Sequence, residues 1–250
     1  MAYTRKGLED RNVLSQLISC LVSMGYQVSQ FIMDSYNYGS AQHRSRVFVS
    51  ISAPGLEPIK QPFHTHSRLW EEVTGKSLGK LPNGERFGQR EWYSTPFKHI
   101  SAGTIMANLP DKGNGNVQSC ITHPDHRLSV PSNHLERSLL ACIPSEPAGC
   151  GYREAHNRGL IPQHLQKPGR EHGKSYKRLD KAKLVPTITT TVNCRDAHNG
   201  ACVHWCQPRP IAILEARRTQ GCPDEEPIIG NQVEQYRIVG NGVDRKVSSR

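Results

Sequence analysis

Ten prolines between Pro54 and Pro147 set the strongest limit on what this chain can fold into. A proline inside a helix removes a hydrogen bond and clashes with the preceding turn, and in a central strand it breaks the ladder. Glycines and histidines lie among these prolines, and no long periodic helix can be drawn through residues 61–183. The middle, from about Ala53 to Lys183, is therefore expected to be loop-rich with short strands, a surface-reading insert rather than a primary core.

The flanks read differently. Asp10 is expected to cap a helix running to about Met24, with Val13, Leu14, Leu17, Ile18, Leu21 and Val22 at helical spacing and Gly25 as its stop. Tyr26–Met33 and Val47–Ile51 read as strands joined by the turn-rich loop 34–41, with no helix between them. That is a fragment of an α/β layer. Beyond the insert, Leu184–Val192 is expected to be β-rich, and Pro210 to open a helix, 211–220, that Gly221 closes. Tyr236–Val239 reads as a strand or loop ending in Gly240-Asn241-Gly242, a turn that lets backbone approach a neighbour closely. The expected divisions are 1–52, 53–183 and 184–250.

At the mouth of the second strand stands Gln42-His43-Arg44-Ser45-Arg46. Alternation along an extended chain puts Gln42, Arg44 and Arg46 on one face, a donor-rich surface suited to phosphates, carboxylates or a nucleobase oxygen. Taken alone, the two arginines read as well as ordinary edge-strand charges. His123, His126, Arg127, His134 and Arg137 form the densest basic group of the middle, for which a solvated loop face is the plain alternative.

Lys and Arg number 32 against 22 Asp and Glu, a net charge of +10 that favours a polyanionic partner such as nucleic acid. No apolar run approaches the roughly 18–20 residues of a spanning helix, and no signal core follows Met1, so neither a membrane nor secretion is expected. The eight cysteines are expected to be reduced thiols. Cys194, His198, Cys202, His204 and Cys206 cluster, but too closely for the usual zinc spacing, and no metal is expected.

In this order the blocks carry more than any one alone. Gly39–Phe48 resembles motif VIII of the cytosine-5 DNA methyltransferases, Gln-x-Arg-x-Arg; Arg209–Asp224 resembles motif IX and Tyr236–Val243 motif X. Leu81–Gly88 and Pro124–Arg127 are similar to the fungal branch linked to repeat-induced point mutation. The resemblance implies part of a Rossmann-like α/β fold dependent on S-adenosyl-L-methionine, interrupted by a loop- and β-rich target-recognition region. In that family a cytosine is flipped out of double-stranded DNA. A cysteine thiolate attacks C6, a glutamate assists at N3, and the methyl group passes from the cofactor to C5.

By residue-for-residue carry-over, Arg46 would contact the cytosine O2 and the active-site carboxylate and thiolate, with Arg44 and Gln42 supporting it. Asn241 and Val243 would line the cofactor pocket, and Glu215, Arg217 and Arg218 would be structural. A nuclear location follows from the same resemblance.

The family's Pro-Cys, Glu-Asn-Val and Phe-x-Gly-x-Gly motifs do not occur in this sequence. Ala41, Cys222 and Asp244 also depart from the family pattern, at positions favouring proline, phenylalanine, and proline or a small residue. The chain is thus expected to be the C-terminal part of such an enzyme, inactive alone. A non-catalytic DNA-binding module is the alternative, and a zinc-stabilised structural protein ranks far behind.

Overall fold

The computed structural model describes residues 12–67, 77, 79–88, 95–110, 123–127 and 133–249. Helix α1 spans Val13–Ser23 and is capped by Asn12, whose Oδ1 accepts from the amides of Leu14 and Ser15 at 3.1 and 3.3 Å. Asp10, the expected cap, lies outside the described residues. Gly25 follows the helix with φ +85°, the left-handed conformation that glycine adopts without strain. The apolar positions of α1 do not form a core: the helix buries no residue, and Val13 and Val22 are 74% and 55% exposed.

Strands β1 (Gln27–Asp34) and β2 (Ser45–Ser52) pair antiparallel, from Gln27 opposite Ser52 to Asp34 opposite Ser45. Their connection contains a 3-10 turn, Ser35–Tyr38, and Gly39 at φ +90°. A side chain at Gly39 would also collide with the His66 ring at 2.9 Å. This two-stranded sheet is the α/β fragment expected from the sequence.

The middle holds the expected short strands: β3 (His66–Ser67) beside β6 (Phe97–Lys98), and β4 (Gly79–Lys80) beside β5 (Arg86–Phe87). It also holds helices α2 (Ala102–Met106), α3 (His134–Cys142) and α4 (Tyr152–Asn157). The reading of a surface insert without a primary core is corrected here. Leu139, Leu140, Ile143, Tyr152, Ala155, Ile161, Leu165 and Tyr176 bury one another together with Cys194, Cys202 and Val203. A second core joins Ala102, Met106 and Leu179 to Val185, Ile188, Ile211, Ile213, Tyr236 and Val239. Both cores draw on residues from either side of position 183.

Residues 184–192 form no strand, against expectation; Gln42 and Val185 make only an isolated parallel bridge. Pro186 has no amide hydrogen to extend a ladder, the Thr187 hydroxyl turns to the carbonyl of His43, and the carbonyl of Ile188 accepts from the Arg44 side chain instead of a strand.

Helix α5 covers Ile213–Thr219, shorter than expected, with Ala212 as N-cap and Pro210 two residues before it. Gly221 follows at φ +70°. The segment read as strand or loop is helix α6 (Gln232–Asn241). Its start was legible as Asn231-x-x-Glu234: Asn231 Oδ1 accepts from the Glu234 amide at 3.0 Å, and Glu234 accepts from the Asn231 amide at 2.9 Å. The close backbone approach expected at the glycines is present. A Cβ on Gly240 would stand 2.3 Å from the carbonyl oxygen of Thr189. A last short helix, α7, is Arg245–Ser248.

Candidate functional site

The hairpin end that carries Gln42, Arg44 and Arg46 is pinned on several sides. The Val185 amide donates to the Ala41 carbonyl at 2.8 Å and the His43 amide to the Val185 carbonyl at 2.9 Å. The Ser35 hydroxyl donates to the carbonyl of Gln42 at 2.6 Å.

The three side chains do not share one donor-rich surface, because β2 begins only at Ser45 and the chain before it turns into the interior. Gln42 is fully buried, and neither its Nε2 nor its Oε1 has a hydrogen-bond partner. Arg44 is 4% exposed. Its guanidinium donates to the carbonyls of Ile188 at 2.9 Å, Gly240 at 2.8 Å and Gly242 at 3.0 Å. Burial and the nearby Arg46 charge pull its pKa down to about 10, while Asp244 acts the other way. Arg46 is exposed and donates to the neighbouring carbonyl of Ser45 at 2.9 Å.

Asp244 joins this junction, a role the sequence signalled only as a departure from the family pattern. It is buried, and its carboxylate meets the Ser40 hydroxyl at 2.5 Å; the same hydroxyl lies 2.5 Å from the Thr219 carbonyl. Burial pushes this carboxyl above its ordinary value, with Ser40, the α7 amides and Arg44 opposing.

Behind the junction, α5 is a brace. Arg209 donates to both oxygens of Glu215 at 2.7 and 2.8 Å, and the Ala212 amide adds a third bond at 2.6 Å. Burial alone would raise the Glu215 carboxyl, but Arg209, His204 and the Ala212 amide hold it below its ordinary value. Arg217 pairs with buried Asp125, which also accepts from the amide of Ile228 and the side chain of Gln235. Arg218 pairs with Asp224 and donates to Asn108 Oδ1 at 2.6 Å and to the carbonyl of Ile105 at 3.1 Å.

The basic group of the middle is partly internal, unlike the solvated loop face given as its plain alternative. His126 is fully buried and its Nε2 lies 2.8 Å from the Pro110 carbonyl, while Arg127 donates to Gln235 at 2.8 Å.

Residues 5–249 match the family model described as C-5 cytosine-specific DNA methylase. The chain belongs to this family. Among similar C-5 methylases, DNA (cytosine-5)-methyltransferase 1A of Oryza sativa subsp. japonica is 27% identical over 263 residues, and DNA (cytosine-5)-methyltransferase 3 of Arabidopsis thaliana 28% over 251. These alignments take in 90% of this chain but 17% of either relative, so the chain spans about a sixth of their length. A solved structure described as a prophage-encoded DNA modification methyltransferase (E. coli) is 18% identical, with a TM-score of 0.49 over 96% of this chain and 63% of that one.

The mixed α/β architecture accords with the methylase family. The cofactor of C-5 methylases is S-adenosyl-L-methionine. Asn241 and Val243 are both exposed at the end of α6. They offer one amide and one apolar side chain, and these alone do not enclose an adenosyl group. Among the described residues no group of three His, Cys, Asp or Glu is placed to hold a metal, and no helix is long and apolar enough to cross a membrane. Within the cysteine cluster, Cys194 and Cys202 sulfurs lie 3.4 Å apart and Cys206 lies 3.6 Å from His204 Nδ1.

Proposed function

We propose that this chain is the C-terminal, cytosine-holding and DNA-reading part of a nuclear DNA cytosine-5 methyltransferase, of the fungal branch linked to repeat-induced point mutation. Arg46 is the residue that meets the flipped cytosine at O2. Arg44 and Gln42 position it from behind. The observation that carries this reading is the division of labour between the two motif arginines. Among the described residues, the Arg44 bonds go to main-chain carbonyls of residues 188, 240 and 242, whereas Arg46 stands exposed and donates only to the carbonyl of its neighbour. A charge-assisted bond from an exposed guanidinium to a base oxygen is strong and directional.

The thiolate and glutamate of the family chemistry do not come from this sequence, which has no Pro-Cys and no Glu-Asn-Val. They are supplied by another polypeptide segment, and this 250-residue chain alone transfers no methyl group. The two-stranded sheet β1–β2, with an α1 that buries no residue fully, supports that division, because two strands alone are marginally stable in water. The test is incorporation of tritium from labelled S-adenosyl-L-methionine into duplex DNA. Background counts are expected, and robust incorporation by the isolated chain would overturn the reading.

A second reading, a non-catalytic DNA-binding module, is favoured by the +10 charge. It predicts DNA affinity that falls steeply with salt and is indifferent to cofactor. Affinity that rises when S-adenosyl-L-methionine is added would exclude it.

A further inference from the structure

A cavity of about 260 Å³ has walls that include Lys174, Lys177, Arg178, Asp180 and Lys183. It opens beside the segment that grips the hairpin. Lys183 and Pro186 line it, and Val185 between them is the residue hydrogen-bonded to Ala41 and His43.

The charge in this wall is not balanced. Arg178 is buried, and its guanidinium donates only to main-chain carbonyls: Ile143, His204, Gln207 and Leu140, at 2.7 to 3.4 Å. No carboxylate pairs with it among the described residues. Burial of that cation lowers its pKa, the mark of a charge held out of water without a counter-charge. Lys177 is half-buried, its stem resting on Gly149 and Gly151. Neither Lys174 nor Lys177 has an acidic partner among the described residues. Asp180 is the one carboxylate of the cavity among the described residues, and it sits 3.9 Å from Lys183, at the edge of ion-pair distance.

We infer that this cavity is a subsite for a backbone phosphate of the bound DNA, with Lys174 and Lys177 as its contacts and buried Arg178 supplying fixed positive charge behind them. The inference rests on the proposed DNA-binding function and deepens it. An anion seated here supplies the counter-charge that Arg178 lacks, and the site costs no rearrangement of Arg178 because that side chain is already held by the backbone. The volume suits a phosphodiester and is below the size of a pocket for a drug-like molecule. Its place one residue from the motif VIII contact means that a strand anchored here is registered against the hairpin bearing Arg46. Phosphate contacts set position and orientation rather than sequence.

The test is fluorescence anisotropy of the 250-residue chain with short labelled duplexes over a series of salt concentrations. The double change Lys174→Ala/Lys177→Ala is expected to weaken binding about tenfold and to reduce the salt slope by about 1 to 2, equally for duplexes of different sequence. Lys174→Arg/Lys177→Arg is expected to restore both. Lys60→Ala, an exposed lysine paired with Glu57 outside this cavity, serves as the control and should change neither. If the parent chain binds duplex DNA with a steep salt slope and the double alanine variant binds identically, the subsite is refuted while the DNA-binding reading stands. If the parent chain shows no salt-dependent DNA binding, both fall. Loss of binding accompanied by a lowered unfolding temperature in the alanine variant, without rescue by arginine, also overturns the inference, since it marks a structural role.

Discussion

The Arg44 guanidinium donates to the main-chain carbonyl of Gly240 at 2.8 Å, tying the start of β2 to the last turn of α6 across 196 positions of sequence. The segment before β2 and the end of α6 are thereby one structural unit. The exposed Arg46 stands on a hairpin whose base cannot shift without breaking this bond and its two companions.

Arg44→Lys is therefore expected to lower the unfolding free energy by about 2–3 kcal/mol, because a single ammonium cannot replace a fork serving three carbonyls. Arg46→Lys should stay within about 0.5 kcal/mol of the parent, as an exposed substitution. Urea titrations of the two variants make the comparison. Equal losses at both positions would contradict the assigned division.

Gly240→Ala weighs two opposing effects. In an open helix interior the change would gain about 1 kcal/mol from propensity. Here the new methyl group would stand 2.3 Å from the Thr189 carbonyl oxygen, and the obstacle is backbone rather than a flexible side chain. Overpacking typically costs about 1–3 kcal/mol, and the clash with main chain puts this site at the upper end. A net loss of at least about 1 kcal/mol is expected. A thermal unfolding midpoint above that of the parent would refute it.

Asp244→Asn addresses the buried carboxyl beside Ser40. Its folded pKa lies above the ordinary 3.8, so the folded state holds the proton more tightly than the unfolded chain. Its stabilising contribution is complete below pH 3.8 and is lost as pH rises through the folded value. Asparagine keeps a capping oxygen for the Lys246 amide and cannot ionise. The unfolding midpoint of the variant relative to the parent is expected to improve from acid to neutral pH. A difference that stays flat, or runs the other way, would remove the argument.

Glu215→Gln tests the brace. It leaves the buried Arg209 without a counter-charge, a loss of about 3–5 kcal/mol for a broken buried pair. The folded pKa of Glu215 is depressed below 4.5, so its contribution is present above pH 4.5 and disappears as pH falls through the folded value. Denaturant unfolding at neutral and acid pH should show a large deficit that shrinks on acidification. A variant as stable as the parent at neutral pH would show that the pair contributes nothing.

Local chemistry fixed the short-range elements of this protein. Alternating β-branched residues gave β1 and β2, Gly25, Gly39 and Gly221 marked stops and turns, and prolines kept the middle to short pieces. The family was also written there. What the chain's own periodicity could not decide was the use of side chains that act over long separations. Gln42, Arg44 and Arg46 look equivalent by alternation, yet two are buried and one is exposed. The reason is that the acceptors claiming Arg44 lie at residues 188, 240 and 242, which only tertiary packing brings to it. The same holds for Leu184–Val192, β-rich by composition, where Arg44 and the Thr187 hydroxyl take up bonding groups a neighbouring strand would have used. Buried charges such as Arg178 and Asp244 are likewise invisible in sequence, because their environment is assembled from segments far apart along the chain.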